Sequence, residues 1–126
     1  EIKELFQDQE KKKVYLVYPF YRGGDLWSFL EKQREYRLQG FAVLRDAASQ
    51  IAYGLWRLHL KGFVHRDLKP ENVLRKIKEG QENTNLLGTL VITDYGLAVQ
   101  GCSTKNRTCA KGCAGTPLYF AAPQFD

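Results

Sequence analysis

The stretch His65-Arg66-Asp67-Leu68-Lys69-Pro70-Glu71-Asn72, read as HRDLKPEN, decides how this chain is understood. Only Leu68 and Pro70 in it lack a polar side chain. A polar group buried without a partner costs roughly 2–7 kcal/mol, so a run this dense has to be solvated or mutually paired. The flanking residues FV and VLR read as short strands, which places the polar run on a loop between them. The question is what chemistry uses so many polar groups on one loop, and where its other half lies.

Length and composition narrow the answer. The chain has 126 residues, at most one domain. Nineteen Lys and Arg against fourteen Asp and Glu give a formal charge of +5. The densest basic run, Lys11-Lys12-Lys13, lies beside Asp8 and Glu10 and reads as a solvated hairpin, so no nucleic-acid partner is expected. No run of about 18 apolar residues exists, and no membrane segment is expected. There is no Met, and EIKELFQDQE does not resemble a signal peptide, so the chain is expected to be a piece of a longer one. Cys102, Cys109 and Cys113 form a C-x6-C-x3-C cluster whose odd count argues against a closed disulfide framework. His59 and His65 lie far upstream of it, so reduced thiols are expected ahead of a disulfide or a metal site. A cytoplasmic location is expected. Secretion is the alternative, because Asn106-Arg107-Thr108 is a glycosylation acceptor pattern.

Along the chain, residues 2–6 and 14–18 read as two strands around a charged turn, the second ended by Pro19. Gly23-Gly24 marks a turn, and Asp25 is a suitable cap for a helix over about 25–34. A longer helix is predicted over about 41–60, with Leu44, Ala47, Ala48, Ile51, Leu55 and Leu58 at helical spacing and Gly62 as its stop. KIKEGQENTNLLG is a polar connection containing a surface insertion, and TLVITDYG is an apolar strand that delivers Asp94. The tail from residue 98 to 126 has no periodicity and reads as a long loop. Tyr15, Tyr18, Phe20, Tyr21, Trp27 and Trp56 are expected to be packing residues.

Phosphoryl transfer needs the groups that the polar loop holds. One carboxylate must orient a hydroxyl and accept its proton, a cation must neutralise the phosphoryl group, and hard oxygen donors must hold Mg²⁺. Asp67, Lys69 and Asn72 fill these roles on the loop, and Asp94 supplies a second carboxylate. Antiparallel pairing of VLR with LVITD is expected to bring Asn72 and Asp94 together.

HRDLKPEN, DYG and GTPLYFAAPQ, in that order, resemble the protein-kinase signature set H-R-D-L-x-x-x-N, D-F-G and A-P-E. The hinge-like VYLVYPFYRGGDLWSFL adds to the resemblance, which covers essentially the whole chain. It implies a partial two-lobed α+β protein-kinase fold. Residues 1–18 become small-lobe strands, 19–25 the hinge, and 26–126 the large lobe through the activation segment. It also implies transfer of the γ-phosphoryl group of ATP to a Ser or Thr of a protein substrate, with ATP and Mg²⁺ as cofactors. In that reading Asp67 is the base, Lys69 the phosphate-neutralising cation, and Asn72 and Asp94 the metal ligands. Thr116 bonds Asp67 and Lys69. Pro19 and Tyr21 offer backbone groups to adenine, Asp25 bonds the ribose, and Leu74 is the floor under the base. Arg66 would pair with an activation-loop phosphate, His65 and Tyr95 would pack as a spine, and Tyr18 would be the gatekeeper. Lys69 together with Gly115-Thr116-Pro117 resembles the serine/threonine class.

The departures are Tyr95 for Phe, Gln124 for Glu, an extra residue in YFAAPQ, and Gly112 where a phosphorylatable residue is usual. Ser103, Thr104 and Thr108 are the upstream phosphosite candidates. The Gly-rich loop, the small-lobe lysine and the helix glutamate of the family are not in these residues. The 126 residues alone are therefore not expected to catalyse. The alternative function is a weakly active or inactive kinase-like scaffold.

Overall fold

A computed structural model describes residues 2–36, 41–100 and 114–119. Cys102, Cys109, Cys113, the Asn106-Arg107-Thr108 pattern, Ser103, Thr104, Gly112 and Gln124 lie outside the described residues.

The chain opens with a hairpin. β1 (Glu4–Asp8) pairs antiparallel with β2 (Lys13–Val17), in a register running from Glu4 opposite Val17 to Asp8 opposite Lys13. Asp8 closes the turn by accepting the Lys11 N–H at 2.9 Å. The two strands lie within two residues of their predicted positions. Their packing differs from expectation. Tyr15, Tyr18 and Phe20 are exposed, as are Leu5, Phe6 and Leu16. The reason is that β1 and β2 pair with no further strand among the described residues, and a lone hairpin has no layer to bury against.

α1 (Leu26–Tyr36) starts where Asp25 caps it. The Asp25 Oδ1 accepts the Ser28 N–H and its Oδ2 accepts the Ser28 hydroxyl, both at 2.8 Å. Leu26, Phe29 and Gln33 are buried at helical spacing. α2 (Phe41–Leu60) matches its predicted span. Gly62 takes the left-handed conformation at φ +75° and donates its N–H to the His59 carbonyl at 2.9 Å, which ends the helix. Of the apolar positions on α2, Ala47 is buried and Ile51 half-buried, whereas Leu44 and Ala48 are exposed. Trp27 and Trp56 are also about half exposed. The period was read correctly, but no described element covers that side of α2.

Beyond α2 come β3 (Phe63–Val64), a tight turn at Pro70–Asn72, β4 (Val73–Lys76), β5 (Thr89–Ile92) and β6 (Val99–Gln100). β4 pairs antiparallel with β5, Val73 opposite Ile92, and β3 pairs antiparallel with β6. β6 falls in the tail expected to be loop. Two residues carry too little periodicity to be read from sequence, and the partner strand supplies the order.

The core is Leu26, Phe29, Ala47, Val73 and Leu87, with Leu30, Val43, Ile51, Leu68 and Leu90 against it. The β4–β5 connection, read as polar, also carries a core residue, Leu87, past the segment read as a surface insertion. The connection turns back and inserts Leu87 beneath α1. Among the described residues no helix is long and apolar enough to cross a membrane.

Candidate active site

The loop between β3 and β4 is held by its own polar groups and by Thr116. The Thr116 hydroxyl donates to the Asp67 Oδ1 at 2.6 Å and accepts from the Lys69 Nζ at 2.9 Å. Lys69 Nζ also lies 3.2 Å from the Asp67 Oδ2. The Asn72 Nδ2 donates to the same Oδ2 at 3.1 Å and to the Asp67 carbonyl at 2.9 Å. Three residues from two segments thus converge on the Asp67 carboxylate, whose side chain is 11 % exposed. The Thr116 hydrogen bond is the main cause that holds the Asp67 carboxyl below its ordinary range. Desolvation opposes it, and the Lys69 hydrogen bond and charge add to it. Asp67 is therefore an ionised, oriented acceptor.

His65 anchors the loop from beneath. It is 2 % exposed, with its Nε2 2.8 Å from the Thr93 carbonyl and its Nδ1 accepting the Asp67 N–H at 3.3 Å. That pairing assigns the proton to Nε2, since one neutral ring nitrogen donates and the other accepts. The Tyr95 ring lies 5.2 Å from the His65 ring. The extra hydroxyl of Tyr95 finds a partner in the Ile92 carbonyl at 3.0 Å, and desolvation pushes its pKa up, so it stays a neutral donor. Arg66 and Asp94 take the left-handed conformation at φ +67° and +59°. Such strain in a non-glycine costs roughly 1–3 kcal/mol and persists only where neighbours hold it. The Arg66 Nε donates to the Leu97 carbonyl at 2.6 Å, and the Asp94 Oδ1 accepts the Gly96 N–H at 3.3 Å.

The β4–β5 pairing sets Asn72 beside Asp94. The Thr93 N–H donates to the Asn72 carbonyl at 2.8 Å, so Asp94 lies one residue past the partner of Asn72. With its Nδ2 committed to Asp67, Asn72 has its Oδ1 left as an oxygen donor. Among the described residues no group of three or more His, Cys, Asp or Glu could by itself hold a metal.

A cleft of about 570 Å³ is lined by Leu16, Tyr18, Pro19 and Tyr21 and by Leu74, Val91 and residues 92–96, while Asp67 and Thr116 line a separate pocket of about 250 Å³ with His65 and Arg66. The larger cleft brings together Pro19, Tyr21, Leu74 and Asp94. Asp25 is not in its lining. Its two carboxylate oxygens are taken by Ser28, and it lines a separate polar pocket of about 520 Å³ with Arg22, Lys32 and Arg75. Burial is the largest single influence and pushes the Asp25 carboxyl up, but the hydrogen bonds from Ser28 and from the Asp25 and Trp27 backbone together outweigh it, and it ends below its ordinary value.

Arg75 was not singled out from sequence. It is 4 % exposed, and burial pulls its guanidinium below its ordinary pKa while the Asp25 charge works the other way. The signal was available: strand alternation puts Arg75 on the face of β4 that buries Val73.

The chain matches the family model described as "Protein kinase domain" over residues 1–124. It is 37 % identical over 119 residues to serine/threonine-protein kinase sgk-1 of Caenorhabditis elegans, which covers 92 % of this chain and 22 % of that protein. It is 31 % identical over 125 residues to serine/threonine-protein kinase 33 of Mus musculus, with 95 % and 23 % covered. With a RAC family serine/threonine-protein kinase homolog of Dictyostelium discoideum it shares 34 % identity over 113 residues, 90 % of this chain and 22 % of the other. The chain belongs to the protein kinase family and has part of its α+β fold. It spans 22–23 % of the length of these relatives.

Proposed function

We propose that these residues are the hinge and catalytic-loop part of a serine/threonine protein kinase that transfers the γ-phosphoryl group of ATP to a protein hydroxyl. The observation that carries the reading is the convergence of Lys69, Asn72 and Thr116 on Asp67, joined through the Asn72–Thr93 hydrogen bond to a cleft that Thr93 and Asp94 line. Residues 1–18 are read as small-lobe strands, 19–25 as the hinge and 26–126 as large lobe.

The protein's own groups divide the work. A Ser or Thr hydroxyl donates to Asp67, which fixes the direction of attack. Because the Asp67 carboxyl sits below its ordinary pKa, it is a weak base, and proton transfer to it comes late. Its main contribution is orientation. Lys69 stands beside Asp67 as the one cation of the set and offsets charge on the transferring group. Thr116 locks Asp67 and Lys69 in register. Pro19 and Tyr21 line the cleft together with Leu74, where the adenine base would lie.

The donor chemistry fits a hard cation held with the nucleotide. The Asn72 Oδ1 and the Asp94 carboxylate supply oxygen ligands, and phosphate and water oxygens would complete the shell. Bound Mg²⁺ would neutralise phosphate charge. Asp25 is left out of this proposed nucleotide set because it does not line the cleft.

The test is Mg²⁺-dependent transfer of labelled γ-phosphate to Ser- and Thr-containing protein substrates by the full-length protein, beside Asp67→Asn. Transfer that vanishes in the variant establishes the activity and its acceptor carboxylate. A folded wild type that neither binds nucleotide nor transfers phosphate removes the reading.

A further inference from the structure

Arg75 ties three segments together. Its Nη1 donates to the Gly23 carbonyl at 2.8 Å, its Nε to the Leu87 carbonyl at 3.1 Å, and its Nη2 to the Leu86 carbonyl. Its backbone N–H donates to the Gly24 carbonyl at 2.8 Å, and its guanidinium carbon lies 3.8 Å from the centre of the Phe29 ring. Gly23 has no room for a side chain here, since a Cβ would sit 2.4 Å from the Arg75 carbonyl oxygen. The neighbouring Leu74 faces the other way, into the cleft, and bridges to Asp25. Segment 19–25, whose Pro19 and Tyr21 line the cleft, is thus fastened at Gly23 and Gly24 to β4, whose Leu74 lines it too. The fastener also grips the end of the β4–β5 connection. Two further links reach the connection: Gln33 of α1 donates to Asn85 at 2.9 Å, and the exposed Arg22 of segment 19–25 lies 3.6 Å from Glu79.

We propose that Arg75 is a positioning residue for the nucleotide cleft, through which the 77–88 connection braces segment 19–25 against Leu74. The inference rests on the kinase reading of the cleft. A guanidinium suits this place because its planar fork can serve several carbonyls at once, whereas an ammonium is a point charge on a flexible stem. No hydrogen bond or ion pair joins Arg75 to Asp67, Lys69, Asn72 or Thr116 among the described residues. The brace therefore acts on nucleotide binding and leaves the transfer step alone.

The experiment compares full-length wild type with Arg75→Leu, Arg75→Lys and Gly23→Ala. The readouts are ATP KM, kcat at saturating ATP, and Kd for a fluorescent ATP analogue. Gly23→Ala keeps the guanidinium but pushes segment 19–25 off β4. All three variants are expected to raise KM and Kd about tenfold, with kcat within about twofold, as for an interaction made equally before and during transfer. Lys11→Gln, which removes only the exposed ion pair with Asp8 in the β1–β2 turn, leaves both unchanged. If Arg75→Leu does not fold, the other two variants decide on the same criterion. Folded variants with wild-type KM overturn the inference, as does a kcat that falls only with the folded fraction. A wild type that transfers phosphate while the variants keep its KM defeats this inference alone. A wild type that binds no nucleotide defeats the kinase reading and this one with it.

Discussion

Thr116→Ala is the sharpest probe of the catalytic cluster. The change removes the 2.6 Å donor to the Asp67 Oδ1 and the oxygen that receives Lys69 at 2.9 Å. A hydrogen bond to a charged group contributes about 1.5–3 kcal/mol. Loss of that much transition-state positioning slows transfer roughly 10- to 100-fold. Thr116→Ser keeps the hydroxyl and should retain most of the rate. The pH profile gives an independent check. The Asp67 carboxyl is held below its ordinary pKa, so in wild type the ionised form, and any stability that comes from its partners, is lost only as pH falls through that depressed value. Without Thr116 the largest lowering cause is gone and desolvation remains, so the folded pKa rises. The acid limb of kcat/KM should move to higher pH in Thr116→Ala and stay in place in Thr116→Ser. The assay is labelled γ-phosphate transfer by the full-length protein across the acid range. A Thr116→Ala rate within twofold of wild type, or an acid limb that stays or moves down, would refute the reasoning.

Four further outcomes are expected. Asp25→Asn keeps an N-cap oxygen and should change ATP KM less than about twofold, because Asn and Asp cap comparably; a large rise in KM would restore the carboxylate to the nucleotide set. Asp25→Ala should cost about 1 kcal/mol in denaturant unfolding through loss of the α1 cap. His65→Ala leaves the Thr93 carbonyl buried without its partner and should cost at least about 1–3 kcal/mol, read as a lower unfolding midpoint. Chelation of divalent metal should abolish transfer and added Mg²⁺ should restore it, while thermal unfolding of the nucleotide-free protein stays unchanged.

Much of the architecture was legible because local rules and tertiary context agreed. Asp25 and Gly62 marked helix ends through chemistry that needs no partner: a short side-chain acceptor for free N–H groups, and a backbone free to turn left-handed. α2 was readable from its period alone. The candidate site could be drawn up from sequence because loop and strand signals placed Asp67, Lys69 and Asn72 on one segment and Asp94 on another, and the β4–β5 pairing brings these segments together. The misreadings share one cause. Exposed Tyr15, Phe20 and Trp56, buried Leu87 and two-residue β6 all depend on what lies opposite them, which a one-dimensional pattern does not contain.

The sequence by itself determined the helices, the hairpin, the polar loop and the kinase resemblance, because capping, periodicity and motif spacing are properties of neighbours along the chain. Tertiary structure decided the rest. It joined Thr116 to Asp67 across 49 positions of sequence, set both Asp25 oxygens on Ser28 as the cap of α1, and turned Arg75 into a clasp on three backbone carbonyls. Each of these follows from one physical constraint. A polar group that leaves water must be met by a partner, and folding alone determines which partner is within reach.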